Sequence, residues 1–132
     1  MAQLYEIFSG EELKIAEKIQ RRRYQMLVHS YIYYEMNENL VSDSQWSSWA
    51  MELVDLQSKY PSIAEKVIFA NDFANWDGSS GAFFEYVDKP NIVFTANRLL
   101  QNSRKKQNPV IVAPQPKKPL ISKTATTKKK LF

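Results

Sequence analysis

Between Gly10 and about Asn37 the chain holds no proline, and Ile15, Ile19, Met26, Ser30 and Tyr33 recur at steps of four, seven, four and three. Those steps place the five residues on one face of a helix. Leu27, Tyr31 and Tyr34 widen that face, while the arginine run at 21–23 interrupts it and is expected in solvent. Ser9 stands where an N-cap belongs, and Glu11 and Glu12 suit the positive end of the helix dipole. A second stripe follows: Trp46, Trp49, Leu53, Leu56 and Tyr60 step by three, four, three and four. Ser42 and Gln45 have capping-box spacing ahead of it, and Pro61 ends it. Each helix needs somewhere to bury its stripe, so the pattern predicts an antiparallel helical hairpin.

Beyond Pro61 the signals are shorter. Residues 62–73 read as a short helix. "WDGSSG" at 76–81 reads as a turn, because Asp-Gly and Ser-Gly supply special backbone angles. "AFFEYV" at 82–87 alternates like a short strand but has no evident partner. From Asn91 a last helix is predicted, with Ile92, Ala96, Leu99 and Leu100 inward. No internal repeat is visible. The fold class predicted is mainly α: a helical hairpin plus a C-terminal helix, as one domain over residues 1–103.

Charge divides the chain at that boundary. Residues 1–103 hold nine Lys and Arg against 14 Asp and Glu, so 9 − 14 = −5, whereas residues 104–132 hold nine Lys and Arg and no acid, or +9. Pro109, Pro114, Pro116 and Pro119 exclude a helix there, and the composition predicts a disordered basic tail. Its cations Arg104, Lys105, Lys106, Lys117, Lys118, Lys128, Lys129 and Lys130 are candidate nucleic-acid contacts. Two apolar islands, "VIV" at 110–112 and "LI" at 120–121, are candidate docking points. The terminal pair Leu131 and Phe132 resembles the Leu-Phe ending of bacterial sliding-clamp ligands, which makes it a candidate for partner docking.

Composition then removes function classes. At 132 residues and 44% apolar the chain can build one sizeable core. It has no cysteine and one histidine, so disulfides, thiolate sites, a cysteine nucleophile and a histidine-based metal site are not expected. Three glycines do not make a phosphate-binding loop. No apolar run approaches the ~18 residues that cross a bilayer. The acidic start lacks the basic n-region of a secretory signal, so a soluble cytoplasmic protein is expected. Asp72 and Asp77, flanking "FANW", are a possible carboxylate pair; a turn with solvated acids is the plainer reading.

The densest chemistry lies in "HSYIYY" at 29–34, three tyrosines beside the single histidine, followed by "DSQW" at 43–46. Aromatics at helical spacing are commonly core, but tyrosine and tryptophan also offer flat faces with a polar edge. Residues 24–61 resemble the small N-terminal domain of bacterial NAD-dependent DNA ligases, which carries a helix ending in Tyr-x-Tyr-Tyr or Tyr-x-Tyr-His, a short loop with an aspartate, and an amphipathic helix closed by proline. In that family the hairpin holds the nicotinamide mononucleotide half of NAD. The resemblance implies ligand-binding roles for Tyr33, Tyr34, Asp43 and Trp46. Trp46 stands where the family has tyrosine, and Ser47 where it has a second aspartate. The Lys-x-Asp-Gly nucleophile motif of ligase adenylation domains is absent from the chain, so no enzyme activity is expected.

The whole body, including "FANWDGSSGAFF", is similar to short stand-alone proteins of phages and prophages of Gram-positive bacteria that are described as ligase-related. The resemblance implies a non-catalytic phage accessory protein binding a host macromolecule, either DNA or a replication or defence protein, without metal or cofactor. One alternative is a nicotinamide-nucleotide-binding module that takes NAD or nicotinamide mononucleotide. Another is an inhibitor of a host nuclease or defence system whose acidic body imitates phosphate.

Overall fold

The computed structural model describes residues 3–107. Six helices follow one another: α1 (Leu4–Ile7), α2 (Gly10–Glu35), α3 (Asp43–Lys59), α4 (Pro61–Ala64), α5 (Ala70–Phe73) and α6 (Pro90–Gln107). No strand occurs among the described residues. The mainly α class read from the sequence is therefore observed.

α2 and α3 form the hairpin. Their boundaries follow the local chemistry. Ser9 takes the α2 N-cap position, although its hydroxyl makes no capping bond. Asn37 adopts a left-handed φ of 56°, and the Glu38 N–H reaches back to the Ile32 carbonyl at 3.0 Å, closing the helix. The Ser42 hydroxyl accepts from the Gln45 N–H at 3.0 Å, as the capping-box spacing predicts. Pro61 stops α3 and opens α4, where its missing N–H costs nothing. Arg22 meets Glu52 and His29 meets Trp49, so advancing along α2 means receding along α3. The two are antiparallel.

α2 is the central element, touching α1, α3, α4 and α6. Ala16, Ile19, Met26, Leu27 and Ile32 are buried on it, facing Trp46, Ala50 and Leu53 of α3 and Ile92, Ala96 and Leu100 of α6. The α6 start lies near Tyr24, through Lys89 over the Phe69 ring and Phe69 against Tyr24; its end lies near Glu38, through Arg104. α6 thus runs alongside α2 in the same direction.

Several expectations change. Residues 62–73 form two single-turn helices rather than one. The α3 stripe centres on Trp46, Ala50 and Leu53; Trp49 is half-buried and Tyr60 is exposed. Leu99 is exposed, because α6 turns only Ile92, Ala96 and Leu100 inward. In residues 82–87 the alternation is real, with Phe84 and Tyr86 half-buried and Phe83, Glu85 and Val87 exposed, but no neighbouring strand among the described residues supplies a ladder. α6 continues to Gln107, so Arg104, Lys105 and Lys106 belong to a helix.

The largest correction is Arg23. It was expected in solvent with its neighbours, yet only 2% of it is exposed. Its Nε–H donates to Gln57 Oε1 at 2.9 Å, and Nη1 donates to the carbonyls of Val67 and Ile68 at 2.9 and 3.0 Å. The guanidinium also lies over the Phe73 ring, 5.6 Å from its centre. Burial pulls its pKa down to about 10, against the opposing field of Asp72. Replacing Arg23 with Met keeps the stem and leaves two carbonyls without a donor. The expected cost is roughly 2–5 kcal/mol, read as a lower urea midpoint; an unchanged midpoint would show that the guanidinium holds nothing together.

Candidate functional site

The cluster singled out by the sequence sits at the closed end of the hairpin. The last turns of α2 carry His29, Ser30, Tyr33 and Tyr34, and the first turns of α3 carry Asp43 and Trp46. Tyr33 and Tyr34 meet edge to face at 4.9 Å. Burial raises the Tyr33 pKa well above the ordinary phenol range, and the neighbouring Tyr34 and Asp43 push it further. The structure therefore brings Tyr33, Tyr34 and Asp43 together, with Asp43 exposed at the start of α3.

Accessibility separates the four residues. Trp46 is 1% exposed and Tyr33 6%, so neither offers a ring face to a stacked ligand. What covers them is the chain itself. Trp76 packs edge to face on Trp46 at 6.1 Å and is held by its indole N–H donating to the Ser80 carbonyl at 2.7 Å. Phe73 and Phe84 extend this aromatic layer, 5.0 and 5.7 Å from Trp76. The Tyr34 phenol is raised by burial and lowered by its hydrogen bond with Ser80, the same turn.

The two glycines of this turn act differently. Gly78 has φ 83°, the left-handed backbone expected of Asp-Gly. Gly81 has no such angle; its requirement is space, since a Cβ there would overlap the Ser30 side chain and lie 3.4 Å from the Trp46 ring. Ser30 Oγ is itself buried without a partner.

The remaining candidates have structural duties. The His29 ring lies 5.5 Å from that of Trp49, and burial lowers its pKa to about 4. It stays neutral at physiological pH with Nδ1 buried, which does not suit a general base in contact with substrate. Asp72 and Asp77 each have a partner of their own. Asp72 bonds Lys89 at 2.9 Å, while Asp77 accepts from the N–H and hydroxyl of Ser79, which hold its carboxyl below the usual range. Lys89 is 6% exposed and also bonds Asp88 at 3.0 Å and the Glu85 carbonyl at 2.8 Å. Burial alone would lower its pKa; the two carboxylates more than reverse this and raise it.

No group of three or more His, Cys, Asp or Glu suited to a metal ion occurs among the described residues, and none of their helices is long and apolar enough to cross a membrane. Of the basic candidates, Arg104 bonds Glu38 at 3.0 Å and Lys105 is exposed on α6. Lys106 contributes backbone to that helix. Lys117, Lys118, Lys128, Lys129, Lys130, Leu131 and Phe132 lie outside the described residues. Sequence reasoning missed Arg23, Lys89 and the exposed pair Phe83 and Val87. The first two look like ordinary surface cations, and the pair was assigned to a strand.

Two outcomes are expected. Gly81→Ala should cost about 1–3 kcal/mol through overpacking and shift tryptophan emission to the red, with Ser30→Gly restoring the space in a double variant; full stability in the single variant would contradict the close packing. His29 takes up a proton near pH 6.5 when unfolded but near 4 when folded. Its contribution is complete above 6.5 and is lost as pH falls through 4, with a slope of at most ~1.4 kcal/mol per pH unit. Urea titrations from pH 7 to 4 should show His29→Gln losing less stability than the parent over that interval.

No protein-family model matches this chain, and the comparisons with curated proteins and with solved structures likewise yield no match.

Proposed function

We propose that this chain is a non-catalytic accessory protein of the bacterial cytoplasm, in which a rigid helical domain presents a basic C-terminal segment to a host macromolecule, DNA in the first instance. The observation that carries this reading is the charge division, −5 over residues 1–103 against +9 over residues 104–132. α6 supports it by delivering the first of these cations on a packed helix, with Arg104 tied to Glu38 and Lys105 exposed. The phage and ligase-related setting comes from the resemblance of residues 24–61 and of the body as a whole.

The burial of Trp46 and Tyr33 beneath the 76–81 turn favours this reading over a nicotinamide-nucleotide pocket. A nucleotide would have to lift Trp76 off Trp46, and one carboxylate of the ligase pattern is replaced by Ser47. A missing charged hydrogen bond weakens binding by about 1.5–3 kcal/mol, more than tenfold in affinity.

The test compares the full chain with a variant in which Lys117, Lys118, Lys128, Lys129 and Lys130 are all glutamine. In gel shifts at about 50 mM salt the parent should retard duplex DNA of any sequence, weakening steeply with added salt through counterion release. The variant should not. Equal retardation by both would refute the assignment to the basic segment. Calorimetry with nicotinamide mononucleotide should give no heat; micromolar binding abolished by Asp43→Ala would replace this reading with the nucleotide one.

A further inference from the structure

The two most exposed large apolar residues of the described structure come from one short segment: Phe83 at 90% and Val87 at 94%. They line an open cleft of about 320 Å³ together with Asp72, Glu85, Asp88 and Lys89. The segment is anchored from below, since Phe84 packs on Phe73 and the Tyr86 hydroxyl donates to the Leu27 carbonyl at 3.2 Å. Phe83 and Val87 are thus carried on a segment whose neighbouring residues are anchored, and both side chains are open to a partner. The charge around them is 1 − 3 = −2, and Lys89 is already bonded to Asp72 and Asp88, which leaves Glu85 and the exposed side of Asp88 facing outward. A ligand for this cleft is apolar in the middle and basic at its ends.

The chain contains such a sequence. Residues 117–123 read Lys-Lys-Pro-Leu-Ile-Ser-Lys, with three lysines around Leu120 and Ile121. They lie outside the described residues, with Leu120 13 positions beyond Gln107, the last described residue. The cleft is at the start of α6, where Lys89 precedes Pro90, and α6 has 18 residues. At 1.5 Å per residue it spans about 27 Å. Thirteen residues extend to at most ~43 Å. The island at 110–112 reaches no further than ~17 Å and falls short. The pair Leu131 and Phe132 reaches, but at a lower effective concentration because its tether is longer.

We propose that residues 117–123 dock in cis on this cleft, Leu120 and Ile121 covering Phe83 and Val87 while Lys117, Lys118 and Lys123 face Glu85 and Asp88. Lys117 and Lys118 are shared with the nucleic-acid reading and Lys128, Lys129 and Lys130 are not part of this docking, which goes beyond that reading and does not depend on it.

The chain has no cysteine, so a nitroxide placed through Ser122→Cys labels one position only. In the ¹⁵N-labelled full chain, the amide signals of Phe83, Val87 and Asp88 should lose at least about half their intensity relative to the reduced label, and the loss should persist on roughly tenfold dilution, as a tethered contact requires. The double substitution Phe83→Ser with Val87→Ser, both on exposed positions, should restore the intensity. Undiminished signals at 83–88 in the labelled parent would overturn the proposal. So would a loss seen only when nitroxide-bearing and ¹⁵N-labelled chains are mixed, which would assign the cleft to a second copy. No DNA enters this measurement, so its failure leaves the nucleic-acid reading untouched.

Discussion

One guanidinium sets the arrangement of the helices. Arg23 leaves water almost completely, and it meets neutral acceptors rather than a carboxylate: Gln57 on α3 and the carbonyls of Val67 and Ile68. Asp72 acts on it only through its field, and a buried cation is costly unless its donors are occupied. Here three donated bonds from one side chain tie α2 to α3 and to the segment after α4. The geometry they impose is visible at once downstream. Phe69, the next residue after the two carbonyls, takes a left-handed φ of 72°, an unusual conformation for an aromatic residue. That reversal brings Phe69 onto Tyr24, Phe73 under Arg23, and Asp72 to Lys89.

From there the order passes to the far end of the molecule. Asp72 neutralises Lys89, Lys89 adjoins the first residue of α6, and α6 lies along α2. The same α5 turn supplies Phe73, on which Trp76 and Phe84 pack. Trp76 then closes over Trp46. Of the aromatic residues at 29–46, which could serve as core or as a stacking surface, Tyr33 and Trp46 are taken up by this internal packing.

How much of this was legible follows from which interactions are local. Helical spacing marked α2, α3 and α6, and Ser42 and Pro61 marked the limits of α3, because caps and prolines act on their own few residues. Arg23 was hidden, since its partners lie 34 to 45 positions away and nothing in "RRR" tells the middle of the surface from the edge of the core. Residues 82–87 misled for a related reason: alternation reports that every second side chain is buried, not that a strand is paired. Leu99 misled because its burial depends on the angle at which α6 meets α2. In the cluster, the proximity of Tyr33, Tyr34 and Asp43 was readable from the hairpin, but the covering turn, which requires Gly81 to sit against Ser30, was not.

The placement of the three tryptophans has an optical consequence. Trp46 is in the core, Trp49 lies beside His29 with Arg22 above it, and Trp76 is on the covering turn. None belongs to α6 or to α1. Intrinsic fluorescence is thus a local instrument in this molecule, sensitive to the hairpin and its cover and blind to the terminal helix, whereas circular dichroism at 222 nm weights every helix by its length. Coincident curves from the two signals would mean that α6 and the hairpin melt as one unit; separated curves would resolve an intermediate that neither signal shows by itself.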